Sequence, residues 1–119
     1  MSRRPATTVL LCRGCCCGTA AKHPQLDHEQ QEQALRAAAG HAEIGVRVVD
    51  CLDECDRSNV VVVRRPGRLV RDRDTWFGSV LTDGATDALA AWLHEGAPER
   101  LPPRLVGLRF RHQAPRRRR

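Results

Sequence analysis

Short apolar runs rich in β-branched residues recur along this chain, and two stretches with a helical pattern lie between them. A short apolar run bounded by glycine, proline or charged residues is typical of a buried strand. Four runs of this kind are present, over Thr7–Leu11, Glu43–Val49, Asn59–Arg64 and Thr75–Val80. The turn signal Pro66-Gly67 between the last two runs predicts that they pair as a hairpin.

The two helical stretches carry recognisable start and stop residues. Asp27, with Gln30 three residues later, predicts a helix that runs to about Ala39 and stops at Gly40. Asp83 is the predicted N-cap of a second helix, which Gly96 and Pro98 would end. The apolar positions of this second helix fall on one face, and they are Ala85, Ala88, Leu89, Trp92 and Leu93.

The order of these elements predicts the fold class. Strand, helix, strand and then strand, strand, helix form a βαβ unit followed by a ββα unit, which resembles the thioredoxin-like arrangement. The expected fold is therefore α/β, with a four-stranded mixed sheet flanked by helices. We expect one domain over residues 7–97, a disordered arm over 1–6 and a basic, disordered tail over 98–119.

The positive charge of the chain belongs to this tail. The formal net charge is +6, but residues 1–97 hold twelve Lys and Arg against thirteen Asp and Glu. An arginine-rich tail binds polyanions weakly at low salt whatever its role. Because no aromatic interleaving or known nucleic-acid module accompanies it, we expect no specific nucleic-acid partner.

The role expected for the six cysteines depends on the cellular compartment of the protein. No apolar run approaches the about 20 residues that a membrane helix needs, and the start of the chain gives no secretory signal pattern. We therefore expect a cytoplasmic protein without a membrane partner. In a reducing compartment, six cysteines in 119 residues indicate metal or redox chemistry before a disulfide scaffold.

Four of the six cysteines form two pairs, and each pair follows one of the first two predicted strands. Cys12 and Cys17 follow the first strand, and Cys51 and Cys55 follow the second. If these two strands are parallel neighbours, both cysteine loops lie at one edge of the sheet. A four-thiolate site is the simplest chemistry that would need this arrangement.

The spacing of the pairs resembles that of a known family. C-x4-C, thirty-three residues and C-x3-C, with a valine-rich strand straight after, is similar to the thioredoxin-like [2Fe-2S] ferredoxins, including the small [2Fe-2S] subunit of NADH dehydrogenase. The resemblance implies a [2Fe-2S] cluster held by Cys12, Cys17, Cys51 and Cys55, and a one-electron carrier with no bond-making chemistry of its own. Cys15 or Cys16 could replace Cys17 as a ligand. Free-standing members are often homodimers, so a homodimer is a further expectation.

Other interpretations use the same residues. Cys12-x2-Cys15 with Cys51-x3-Cys55 could hold structural zinc in an interaction module. A thioredoxin-type C-x-x-C at Cys12 and Cys15 is less favoured, because Arg57-Ser58-Asn59 lacks the proline expected before the third strand. Loop cysteines flanked by charged residues and glycine are poor candidates for small core residues.

The second cysteine loop is also acidic. Its seven residues 50–56 include four carboxylates, at Asp50, Asp53, Glu54 and Asp56. This loop could dock a basic reductase or electron acceptor by electrostatic steering, or it could simply be a solvated loop.

Overall fold

A computed structural model describes residues 7–13, 27–49, 59–65 and 74–111 of the chain. Five strands lie within these ranges: β1 (Thr8–Cys12), β2 (Gly45–Val49), β3 (Val61–Arg64), β4 (Asp74–Phe77) and β5 (Arg109–Phe110). The helices are α1 (His28–His41), α2 (Asp83–His94) and the one-turn α3 (Pro103–Val106). The predicted order of a βαβ unit followed by a ββα unit is therefore confirmed.

The strands form one mixed sheet in the order β2-β1-β3-β4-β5. β1 runs parallel to β2, and every other neighbouring pair is antiparallel. The predicted parallel neighbours and the predicted hairpin of the third and fourth strands are both confirmed. Because β1 and β2 are parallel, their carboxyl ends meet at the same edge of the sheet, with Cys12 opposite Val49.

The prediction of four strands is wrong, because part of the segment assigned to a disordered tail joins the sheet. β5 pairs with β4, and α3 packs against the core through the fully buried Leu105. Side chains of the domain hold the connection: Trp92 Nε1 donates to the Pro98 carbonyl at 3.0 Å, and Arg65 Nη2 donates to the Ala97 carbonyl at 2.7 Å. Residues 112–119 of the predicted tail lie outside the described residues.

The main core lies between one face of the sheet and the two long helices. Its largest fully buried side chains include Leu11 of β1, Leu35 of α1, Phe77 of β4 and Leu89 of α2. Alternate residues of the central strands form a second apolar cluster on the opposite face, with Leu10, Cys12, Val60 and Val62. Within the described ranges, no helix is long and apolar enough to cross a membrane.

The ends of α1 agree only partly with the sequence prediction. Asp27 is the N-cap, and its Oδ1 accepts from the Gln30 backbone N–H at 3.0 Å, as predicted. The helix continues through Gly40 to His41, whereas a stop at Gly40 was expected. The left-handed residue of the following turn is Glu43, with φ +59, and the Ile44 N–H donates to the Ala39 carbonyl at 2.8 Å.

The start of α2 differs from the prediction by one residue. Thr82, and not Asp83, is the N-cap, and its side chain accepts from the Ala85 N–H at 3.0 Å.

We expect Thr82→Ala to destabilise the protein by about 1 kcal/mol, because it leaves one N–H of the first turn without its capping partner. Urea unfolding measures this change. Asp83→Asn is the control, since it alters only a charge in the first turn; a larger cost for Asp83→Asn would contradict Thr82 as the cap.

Candidate metal centre

Cys12 is the one predicted ligand that lies within the described residues. It is the last residue of β1 and not a loop residue, and its side chain is 2% exposed. It belongs to the apolar cluster on the sheet face opposite the helices, beside Leu10, Val60 and Val62. The expectation that this cysteine sits in a polar loop is therefore wrong, and a role as a small core residue has to be tested against a role as a ligand.

The backbone around Cys12 is hydrogen-bonded to both neighbouring strands. The Cys12 N–H donates to the Val60 carbonyl at 3.2 Å, and the Arg13 N–H donates to the Val49 carbonyl at 2.9 Å. Val49 is two residues before Cys51 in the sequence, and Val60 is five residues after Cys55. We call residues 14–26 the first cysteine segment and residues 50–58 the second. The residue before the first segment and the residues on either side of the second therefore lie together at one place on the sheet edge.

The other predicted ligands cannot be placed. Cys17, Cys51 and Cys55 lie outside the described residues, as do the substitute ligands Cys15 and Cys16 and the acidic loop from Asp50 to Asp56. Among the residues that are described, no group of three or more His, Cys, Asp or Glu side chains could hold a metal ion. Any metal site at this edge thus needs side chains from the undescribed segments.

The residue after Cys12 is fixed by an ion pair with α1. Arg13 Nη1 donates to Glu32 Oε1, and Arg36 Nε donates to the other oxygen, Oε2, at 2.8 Å. The hydrogen bonds from Arg36 and then from Arg13 lower the pKa of Glu32 below its ordinary value of 4.5. This carboxylate therefore ties the end of β1 to α1 as long as it is ionised.

Glu32→Gln should lower stability at neutral pH by at most about 1 kcal/mol, the range of partly exposed ion pairs. Because the folded-state pKa of Glu32 is lowered, its contribution is present above the unfolded-state value and is lost as the pH falls through the folded-state value. The difference between wild type and Glu32→Gln should therefore shrink in urea unfolding as the pH falls below the ordinary value of 4.5. Glu29→Gln, an exposed position of the same helix, is the control. If the difference in the free energy of unfolding between wild type and Glu32→Gln stayed constant with pH, the ion pair of Glu32 would not be its source.

A buried polar network near the same edge was not predicted from the sequence. His28 and Gln31 of α1, Asn59 before β3 and Thr86 of α2 are all buried. Two features of the sequence could have indicated it. Gln31 lies four residues before Leu35, which places it on the buried face of α1, and Asn59 is a polar residue at the start of an otherwise apolar run.

Carboxylates surround the cleft where both long helices begin. This cleft of about 220 Å³ lies between the first turns of α1 and α2, and it is lined by Asp27, Asp83 and Asp87 together with the buried Gln31 and Thr86. Both helices begin at the edge where Cys12 ends β1, because each follows a segment that leaves the sheet there. This end of the fold therefore carries negative charge outside the acidic loop as well.

Comparison of the chain with models of protein families, with curated proteins and with solved structures gives no match. The resemblance to the ferredoxins consequently depends on the cysteine spacing and on the order of the elements. It stays a prediction.

Proposed function

We propose that the protein is a thioredoxin-like [2Fe-2S] ferredoxin that carries one electron, with Cys12, Cys17, Cys51 and Cys55 as the cluster ligands. The observation that carries this proposal is the pair of backbone hydrogen bonds at the end of β1, from Cys12 to Val60 and from Arg13 to Val49. They hold one ligand between the strand that leads into the second cysteine segment and the strand that leads out of it.

Covalent reach supports a common site for the two segments. Cys12 and Val49 are partners in the β1–β2 register, so their Cα atoms are about 5 Å apart. Two further residues extend the chain by at most about 7 Å, which keeps Cys51 within reach of a small inorganic cluster bound to Cys12. Other sheet orders, with β1 and β2 at opposite edges, would exclude a shared site.

The surroundings of Cys12 also fit a redox centre. A cluster of this type needs four thiolates, two for each iron, and it supplies reversible one-electron chemistry when bound. Leu10, Val60 and Val62 exclude water from one ligand, and the exclusion of water is one of the factors that set a reduction potential. The chain itself binds the cluster and limits its exposure to solvent.

The proposed partner is a basic reductase or acceptor protein that docks at this end of the molecule. The carboxylates of Asp27, Asp83 and Asp87 line the cleft at this end, and the acidic loop adds four more in the sequence, so that a basic partner would associate faster at low salt. Arg13, the basic side chain next to Cys12, shares the Glu32 carboxylate with Arg36, so these three side chains together keep one positive charge. Docking should therefore weaken as the ionic strength rises.

The test is the iron and acid-labile sulfide content of protein purified without oxygen, together with its visible spectrum before and after dithionite. We expect about two irons and about two sulfides per chain, and absorption that bleaches on reduction. Protein that holds neither iron nor sulfide after reconstitution would contradict the proposal.

Structural zinc is the second candidate, because a buried Cys12 fits a structural metal ligand as well as a cluster ligand. Structural zinc sites have four protein ligands and no open coordination position. Zinc would give about one metal per chain, no sulfide and no bleaching, because it has no accessible second oxidation state. That result would replace the electron carrier by a zinc-stabilised interaction module.

A further inference from the structure

The two long helices end beside each other on a pair of histidines. His41 is the last residue of α1, and His94 is the last residue of α2. Their imidazole rings stack almost in parallel, with 3.7 Å between the centroids and 8° between the planes. Two separate helices thus bring two side chains that bind metals together, and no motif in the sequence indicates this pair.

The ring nitrogens of this pair are available to a ligand. Both side chains are exposed, and within the described part of the chain neither imidazole makes a hydrogen bond or an ion pair. A neutral imidazole offers one nitrogen with a free lone pair, which is the atom that binds a metal ion. His28, by contrast, is buried, and its Nδ1 lies 3.0 Å from Asn59 Nδ2. The pair at the helix ends therefore differs from a core histidine whose nitrogen is already used.

The separation of the two rings suits a single metal ion. Imidazole is a ligand of Zn²⁺, Cu²⁺ and Ni²⁺, and the zinc–nitrogen bond is about 2.1 Å long. Two nitrogens bound to one ion therefore lie at most about 4 Å apart. The 3.7 Å between the centroids places the rings within this limit. Each ring has to tilt until its lone pair points at the ion, and exposed side chains change rotamer within nanoseconds.

The charges at this place favour a cation. The last carbonyls of a helix carry a partial negative charge, and two helices end here. The exposed Glu43 and Glu95 follow the two histidines within two residues. Within the described ranges no group of three or more His, Cys, Asp or Glu side chains could hold a metal ion, so these carboxylates add charge and are not further ligands. The protein therefore supplies two nitrogen ligands, and water completes the coordination.

We propose that His41 and His94 form a surface site for a divalent transition-metal ion that prefers nitrogen ligands, such as Zn²⁺. Both helices begin at the edge where Cys12 ends β1, and the fourteen residues of α1 span about 20 Å. The site therefore lies at the opposite end of the domain from the proposed cluster and does not depend on the proposed function. A bound ion links the carboxyl ends of α1 and α2.

The experiment adds Ni²⁺, a paramagnetic ion of this class, to ¹⁵N-labelled protein and follows the imidazole signals by NMR. A bound Ni²⁺ ion broadens the signals of nearby nuclei. We expect the signals of His41 and His94 to broaden together, at the same Ni²⁺ concentration, while those of His28 at the other end stay sharp. Zn²⁺ should compete with Ni²⁺, whereas an excess of Mg²⁺ should not, because Mg²⁺ prefers oxygen ligands.

The variants His41→Gln and His94→Gln test whether the two rings bind one ion. Each should weaken nickel binding at the remaining histidine at least about tenfold, since loss of even an outer-shell partner costs about 10–100-fold in metal affinity. Both positions are exposed, so the variants should fold. Glu95→Gln is the matched control, because it removes a charge beside His94 and keeps both imidazoles. Its nickel affinity should stay within about threefold of wild type.

Three results would overturn the site. If the remaining histidine of either variant kept the wild-type affinity, each imidazole would bind nickel alone. A loss in Glu95→Gln as large as in His41→Gln would mean that charge, and not ligation, attracts the ion. Sharp signals of His41 and His94 throughout the titration would mean that nickel does not bind there. The iron and sulfide content of the protein affects none of these comparisons and tests the proposed function separately.

Discussion

Cys12→Ala is expected to abolish retention of the cluster while the metal-free protein stays folded. Removing one of four thiolates leaves an iron without a full set of ligands, so iron content should fall from about two per chain to near zero. In the metal-free protein the cost should be only about 1 kcal/mol, because cysteine in an apolar cluster acts as a small hydrophobic residue and alanine keeps part of its contacts. Metal analysis and urea unfolding measure the two effects.

The matched control is Val62→Ala, which removes a fully buried side chain from the same apolar cluster without removing a thiol. We expect a larger loss of stability than in Cys12→Ala and an unchanged iron content. If Cys12→Ala retained its iron, Cys12 would be a core residue, and the site would have to be rebuilt from Cys15, Cys16, Cys17, Cys51 and Cys55.

Most of the sheet could be predicted because four of its strands have a local sequence pattern. The valine run before Arg64 has no helical periodicity, and the glycine and proline residues around the runs limit their extent. Parallel pairing of β1 with β2 followed from the helix between them, since a βαβ connection favours that arrangement. These features depend on neighbours in the sequence.

The features that were missed depend on distant residues. β5 has only two residues, too few for any periodic pattern, and it forms because β4 offers an edge at Trp76 and Phe77. The cap of α2 was predicted one residue too late, because threonine and aspartate are both good N-caps. The extended backbone of Thr82 makes it the cap, and the sequence does not show that conformation.

The candidate site was predictable in its topology but not in its detail. The apolar run predicted a strand that ends at Leu11, just before Cys12, and the structure extends β1 by one residue to include Cys12. Its burial depends on Val60 and Val62, which lie nearly fifty residues later in the chain and contact it only through the pairing of β1 with β3. The hydrogen bond between Asn59 and His28 is equally nonlocal: the sequence marks Asn59 as a polar residue in an apolar run, but it does not indicate its partner.

Phe77→Ala should produce the largest loss of stability in this domain. Phe77 is fully buried in the main core, opposite Val61 in the β3–β4 register, and its ring meets that of Trp92 edge to face at 5.6 Å between centroids. Truncation of a buried phenylalanine costs about 3–5 kcal/mol, from lost burial and from the cavity left behind. Because small domains have about 5–15 kcal/mol of stability in total, the variant should unfold at much lower urea concentration.

Two comparisons show whether the effect comes from the core between the sheet and α2. Phe77→Leu should recover most of the loss, because leucine refills much of the cavity. Trp76→Ala, one residue earlier in β4, truncates a half-buried ring that meets Phe110 on the opposite face, and it should cost less than Phe77→Ala despite its larger side chain. A greater loss at Trp76 would mean that the second face of the sheet, where Cys12 lies, contributes more to stability than the face covered by the helices.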